Sequence, residues 1–258
     1  TYLVLAPTHR SFLDFILLTF VMFSLPELQL DMPFIIAADD FKNLPFIGWL
    51  AQILRAFYIR RGRGQKDPEL NEKLTDLKRN RLHQNGVSLE VFLEGQRSRD
   101  RRFLVPRTGI LKSLHESGGN HIVVPITINY ERIPEQESLV NEASGWKRRQ
   151  LDVYPLISWL KNVFTGCVSL GNIHIVASPP SHMQCECRED FTRFAKEIQL
   201  RQQDEIVLSD YHIRAVASLL DLPNPLITKV LSRYGCKFWP SSSLPPTHLP
   251  LPSDTSEH

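Results

Sequence analysis

Short apolar runs separated by helix-length stretches constrain this chain more than any other feature. Runs at residues 3–6, 34–38, 56–60, 88–93, 121–129 and 173–177 read as strands. Most are continuous rather than alternating, the pattern of strands buried on both faces. Residues 12–23, 45–54, 68–84 and 109–117 read as helices between them. Pro45 and Pro68 suit a first helical turn, where a missing N–H leaves nothing unsatisfied. This alternation predicts an α/β fold, a sheet with helices on its faces. At 258 residues and 42% hydrophobic, the chain can bury a sizeable core and still carry an extension.

Residues 131–171 read as an irregular, charge-rich connection with one helix at 154–164. Residues 190–235 read as helical and amphipathic, with Phe191, Phe194, Ile198, Val216, Leu219 and Leu220 as apolar positions. From Trp239 onward prolines and serines dominate, a composition that builds no core. The expected organisation is therefore a domain over residues 1–182, a helical extension over 183–238 and a disordered tail over 239–258. The most apolar run, residues 15–23, is shorter than the about 20 residues a bilayer span needs. It reads as a helix packed on the sheet, with a surface that dips into lipid as the alternative. A formal net charge of +2 creates no global field that calls for nucleic acid, although the cations are clustered. Cys167, Cys185, Cys187 and Cys236 have neither zinc-finger spacing nor the look of a disulfide framework, so a reducing compartment is expected. The chain starts with Thr1 inside an apparent strand and reads as a fragment of a longer protein.

Four clusters carry chemistry. The first is Thr8-His9-Arg10-Ser11-Phe12-Leu13-Asp14, where the first strand stops. Five residues apart on a helix, His9 and Asp14 would point about 140° apart. With His9 in the preceding loop and Asp14 in the first turns, the two converge. Asp14 then accepts from one ring nitrogen and leaves the other free as a base, while Ser11 caps the helix. A surface histidine beside a chance aspartate fits the same letters. The second cluster, residues 55–64, ends an apolar strand in Arg60, Arg61, Gly62, Arg63 and Gly64. Arginine forks match phosphate oxygens, and glycines permit close approach; a solvated basic loop is the plain alternative. The third, residues 92–99, places Glu94, Gly95, Arg97, Ser98 and Arg99 at a strand end. Here Arg97 and Arg99 can bracket a phosphate, Glu94 can orient an arginine or the substrate, and Gly95 suits a tight turn. The fourth, Val123-Val124-Pro125-Ile126, puts a proline in a strand, which implies a strand end or bulge.

In order and spacing these clusters resemble the four blocks of the glycerolipid acyltransferases, in particular the branch that acylates glycerol 3-phosphate and dihydroxyacetone phosphate. The resemblance covers about two-thirds of the chain. It implies a mixed, mostly parallel sheet flanked by helices, with a C-terminal helical extension. It implies His9 as general base and Asp14 as its support. Arg60, Arg97 and Arg99 would hold the substrate phosphate, while Glu94, Gly95, Ser98 and Pro125 would shape the pocket. The acyl donor would be acyl-CoA, a co-substrate; the chemistry asks for no metal and no bound cofactor. The acceptor would be the first-position hydroxyl of glycerol 3-phosphate, with dihydroxyacetone phosphate next and a lysophospholipid third. Lipid products imply association with a membrane, that of mitochondria, peroxisome or endoplasmic reticulum, and no nucleic-acid partner. A non-catalytic phosphate- or lipid-binding module on the same scaffold is the rival reading. Arg55 and Gln96 depart from the family pattern, which commonly has glycine and a small hydroxyl residue there.

Overall fold

In a computed structural model, residues 2–11, 13–28, 32–38, 56–59, 68–80, 87–98, 102–133, 140–141, 144–145, 161, 165 and 171–239 are described. Strand β1 (Tyr2–Pro7) shows why the apolar runs are unbroken. Its Val4 and Ala6 enter one hydrophobic cluster, whereas Leu3 and Leu5 enter another. A strand covered on both faces has no wet side to carry polar residues.

Among the described residues the sheet runs β3 (Phe57–Ile59), β2 (Phe34–Ala38), β4 (Val87–Glu90), β1, β5 (His121–Tyr130) and β6 (Ile173–Ala177), with the short β7 (Ser181–His182) also beside β5. The pairings from β3 through β5 are parallel, and β6 and β7 run antiparallel to β5. The fold is thus α/β with a mixed, mostly parallel sheet, as expected. In register, Leu5 of β1 lies between Glu90 of β4 and Val124 of β5. Helix α1 (Asp14–Ser24) covers one face with Leu18 and Met22, packed on Leu5, Ile126 and Ile128. Helices α2 (Pro68–Asn80), α3 (Gly109–Glu116) and α4 (Arg188–Asp204) contribute to the cluster on the other face through Leu70 and Leu74, Leu111 and Leu114, and Phe191, Phe194 and Ile198.

Several boundaries differ from the sequence expectation. The run at 88–93 leaves the strand at Glu90, because a turn forms in which the Gly95 N–H donates to the Phe92 carbonyl. Helix α1 starts at Asp14 rather than residue 12, since the Asp14 carboxylate reaches back to the loop's own N–H groups. Pro125 lies inside β5 and not at its end. Its carbonyl accepts from Ser178 N–H, so its nitrogen faces the same side, in the interval between β6 and β7. There residues 124–125 oppose residues 178–180, a bulge that asks nothing of the missing N–H. The helix expected at 45–54 and residues 81–84 lie outside the described residues, as does the helix expected at 154–164 except for Lys161, which is helical.

The stretch at 190–235 is not uniformly helical. After α4 comes strand β8 (Val207–Ser209), then helices α5 (Asp210–Leu220) and α6 (Asn224–Arg233) and strand β9 (Lys237–Trp239), which runs parallel to β8. Asp221 makes the turn between α5 and α6 in the left-handed region, at φ 52°. Ile213, Ala217 and Ile227 form the small core of this module. Asn129 ties it to the sheet, donating to Glu205 O and accepting from Val207 N–H. Helix α4, which the sequence assigns to an extension, packs in the main core. Trp239 belongs to β9 rather than to the tail; residues 240–258 lie outside the described residues. No helix among the described residues is long and apolar enough to cross a membrane.

Candidate active site

The loop after β1 is anchored before it turns. Thr8 N–H donates to the Ile126 carbonyl at 2.9 Å, and Thr8 Oγ1 accepts from Ile128 N–H at 3.0 Å. His9 and Arg10 then swing across the sheet end toward α1. Asp14, the first residue of α1, is 0% exposed. Its Oδ2 accepts from Arg10 N–H at 2.6 Å and Ser11 N–H at 2.9 Å, and lies 3.0 Å from His9 Nδ1. Its Oδ1 accepts from the Tyr130 hydroxyl at 2.7 Å. The two side chains therefore meet as the loop-before-helix geometry requires. Ser11 does not cap α1: Leu13 precedes the helix without a side-chain cap, and Ser11 Oγ accepts from Leu13 N–H at 3.1 Å.

An oxygen that already accepts two N–H groups has no proton to give, so the His9–Asp14 contact assigns the hydrogen to Nδ1. The lone pair then sits on Nε2. The ring packs against Phe92, with centroids 4.4 Å apart and planes tilted by 39°. One ring nitrogen is thus held by a buried carboxylate, and the other is available to accept a proton.

Glu94 ties three loops together. Its Oε1 accepts from His9 N–H and from Arg10 Nη1, both at 3.4 Å, and its Oε2 accepts from Leu104 N–H at 3.0 Å. Arg10 also donates to the Arg102 carbonyl at 3.3 Å and lies over the Phe103 ring at 4.2 Å. The arginine that Glu94 orients is therefore Arg10, which the sequence reading did not select, although it stands next to His9. Gly95 adopts φ +67°, so the turn suits glycine; a Cβ there would meet the exposed, flexible Arg107 side chain, which can give way. Ser98 is buried and Arg97 half-buried in the same loop. Pro125 is buried in β5, opposite Ala6. Arg60 and Arg99 lie outside the described residues.

The model of the acyltransferase family matches residues 1–129, half of the chain, and spans the His9–Asp14 pair and the Glu94 loop. The chain belongs to the acyltransferase family. Among curated relatives, this family member is 27% identical over 249 residues to a dihydroxyacetone phosphate acyltransferase of Bos taurus, covering 88% of this chain and 35% of that one. It is 30% identical to the Homo sapiens protein of the same name, over 69% of this chain and 26% of that one. It is 34% identical to a glycerol-3-phosphate acyltransferase of Pseudomonas putida (strain W619), over 62% of this chain and 20% of that one. The chain thus spans about a third or less of the length of these relatives. It is also similar to the crystal structure of a 1-acyl-sn-glycerophosphate acyltransferase from Thermotoga maritima, at 18% identity and a TM-score of 0.41, covering 79% of this chain and 64% of that one.

Two features of this acyltransferase-family site escape the motifs. A cavity of about 210 Å³ adjoins Arg10 and Tyr130, walled by Ile128 and Ile133 and by Ile206 and Leu208 next to and within β8. Pro125, which the resemblance makes pocket-shaping, does not line this cavity. A three-residue strand in a helical stretch is too short for any periodicity to reveal it. The second feature is Glu90 at the end of β4, 0% exposed, with neither carboxyl oxygen hydrogen-bonded among the described residues. Burial first, and the nearby Asp14 charge second, push its carboxyl well above the usual carboxylate range.

Proposed function

We propose that this chain transfers a fatty acyl group from acyl-CoA to the first-position hydroxyl of glycerol 3-phosphate. The observation that carries this reading is the buried Asp14 carboxylate gripping His9 Nδ1 at 3.0 Å. His9 Nε2 removes the hydroxyl proton, and the oxygen attacks the thioester carbonyl directly. The C–O bond forms and the C–S bond breaks. The proton held on His9 passes to the departing CoA thiolate, so no acyl-enzyme forms. The Asp14 carboxylate supports the imidazolium that exists between these steps. In this reading Arg97, with Arg60 and Arg99, holds the acceptor phosphate. Glu94, Gly95 and Ser98 set the loop that carries Arg97, Pro125 shapes the neighbouring strand, and the cavity beside Tyr130 offers apolar walls to the acyl chain. The reaction draws on no metal or bound cofactor. A lipid product implies work at a membrane surface. Dihydroxyacetone phosphate is the second reading, supported by the name that two of the matched relatives carry.

The test offers glycerol 3-phosphate, dihydroxyacetone phosphate and a lysophospholipid in parallel, with acyl-CoA, to the purified protein. The expected result is the highest kcat/KM on glycerol 3-phosphate. A preference for dihydroxyacetone phosphate replaces the first reading with the second. Binding of these acceptors with no turnover on any overturns both and leaves a phosphate-binding module.

A further inference from the structure

Asp14 is held from two sides, and only one of them belongs to the loop that carries His9. The loop side supplies Oδ2 with two backbone N–H groups and the His9 ring. On the other side, among the described residues, the partner of Oδ1 is the Tyr130 hydroxyl at 2.7 Å. Tyr130 is the last residue of β5 and shares a face with Ile126 and Ile128. Those neighbours pack α1 by apolar contact alone, and a phenylalanine would fill the same space. The hydroxyl is the departure, and it donates to Asp14. It lies one residue beyond the stretch matched by the family model.

We infer that Tyr130 is a positioning residue for the His9–Asp14 pair. A carboxylate fixed at one oxygen swings about its Cβ–Cγ bond; fixed at both, it presents Oδ2 to His9 in one orientation. The phenol also stabilises the carboxylate charge and so moderates its pull on the imidazole proton. Among the described residues, the other charged or titratable groups near the pair are Glu90 from β4, Glu94 from the loop after it, and Arg10; all are retained when Tyr130 alone is changed.

This inference rests on the proposed acyl transfer, and its test separates the two. In Tyr130→Phe, kcat falls about tenfold, the loss of one charge-assisted hydrogen bond, with the acceptor KM within about twofold. The acid limb of the kcat/KM pH profile moves to higher pH, because a less stabilised carboxylate favours the imidazolium. In an Asp14→Asn background the same change costs about twofold or less. Should Tyr130→Phe fail to fold, 3-fluorotyrosine at position 130 keeps the shape with a more acidic hydroxyl, and moves the acid limb down. If His9→Ala is inactive while Tyr130→Phe keeps wild-type kcat and acid limb, this inference falls and the proposed function stands. A lowered melting temperature with unmoved kinetics, an equal cost in both backgrounds, or an unmoved limb in the fluorotyrosine protein overturns it likewise. Wild-type turnover in His9→Ala overturns both.

Discussion

Removing the Glu94 carboxylate should loosen the site and the fold together, because this one side chain joins the His9 loop, its own loop and residues 102–104. In Glu94→Ala the Leu104 N–H loses its 3.0 Å acceptor, and Arg10 Nη1 and His9 N–H lose longer contacts of 3.4 Å. The Arg10 side chain is 11% exposed and that of Glu94 4%, so a largely buried cation loses a nearby counter-charge. Breaking a fully buried pair from one side costs about 3–5 kcal/mol. The long contacts here, and the carbonyl and ring that Arg10 keeps, lower the expectation to about 2–4 kcal/mol. Glu94→Gln keeps one acceptor oxygen and should cost about half as much. For a chain of this size each kcal/mol is about 2–4 °C of melting temperature, so thermal melts should show a drop of roughly 5–15 °C for alanine and visibly less for glutamine. Acyl transfer by the folded alanine variant should fall with it, since the His9 backbone loses its tether. A melting temperature within about 1 °C of the parent, with unchanged turnover, would refute the assignment of Glu94 as the tie between loops.

Two further outcomes follow from the same geometry. Folded Glu90 keeps its proton above the usual carboxylate range, whereas unfolded Glu90 releases it there. Folding must then take up a proton, so the stability this group contributes is present at acid pH and is lost as pH rises. Glu90→Gln has no such proton, and urea melts should place it above the parent at pH 8 and level with it near pH 4; a parent that gains on the variant with rising pH contradicts the assignment. If Arg97 holds the acceptor phosphate as proposed, its replacement by alanine should raise the acceptor KM about tenfold or more and leave the acyl-CoA KM within about twofold. Equal effects on both substrates would remove phosphate recognition from Arg97.

The sheet was legible because burial on both faces writes itself as unbroken apolar runs, and β2 and β6 lie where those runs lie. The ends were less legible. Glu90 sits within an apolar run yet ends its strand, since a turn several residues later decides where the ladder stops. Asp14 was legible as the partner of His9, but not as the acceptor for the loop's own backbone. That its carboxylate would gather the loop N–H groups, and so move the helix start, depends on backbone geometry that no letter encodes. The His9–Asp14 contact itself was legible, because spacing and helix geometry allowed one arrangement in which they meet. Arg10, Tyr130 and Ile206 were not. They become neighbours through β5 and β8, from parts of the chain 76 or more residues apart, and nothing local marks them.

The central claim is that His9 takes the acceptor's proton, and the most direct measurement is turnover by His9→Ala beside acceptor binding to the same protein. Initial rates of acyl transfer from acyl-CoA should collapse by about a thousandfold or more, the scale of a lost general base. Calorimetry should meanwhile show glycerol 3-phosphate binding within about threefold of the parent, because the phosphate contacts are intact. Turnover near the parental rate in that variant would contradict the mechanism.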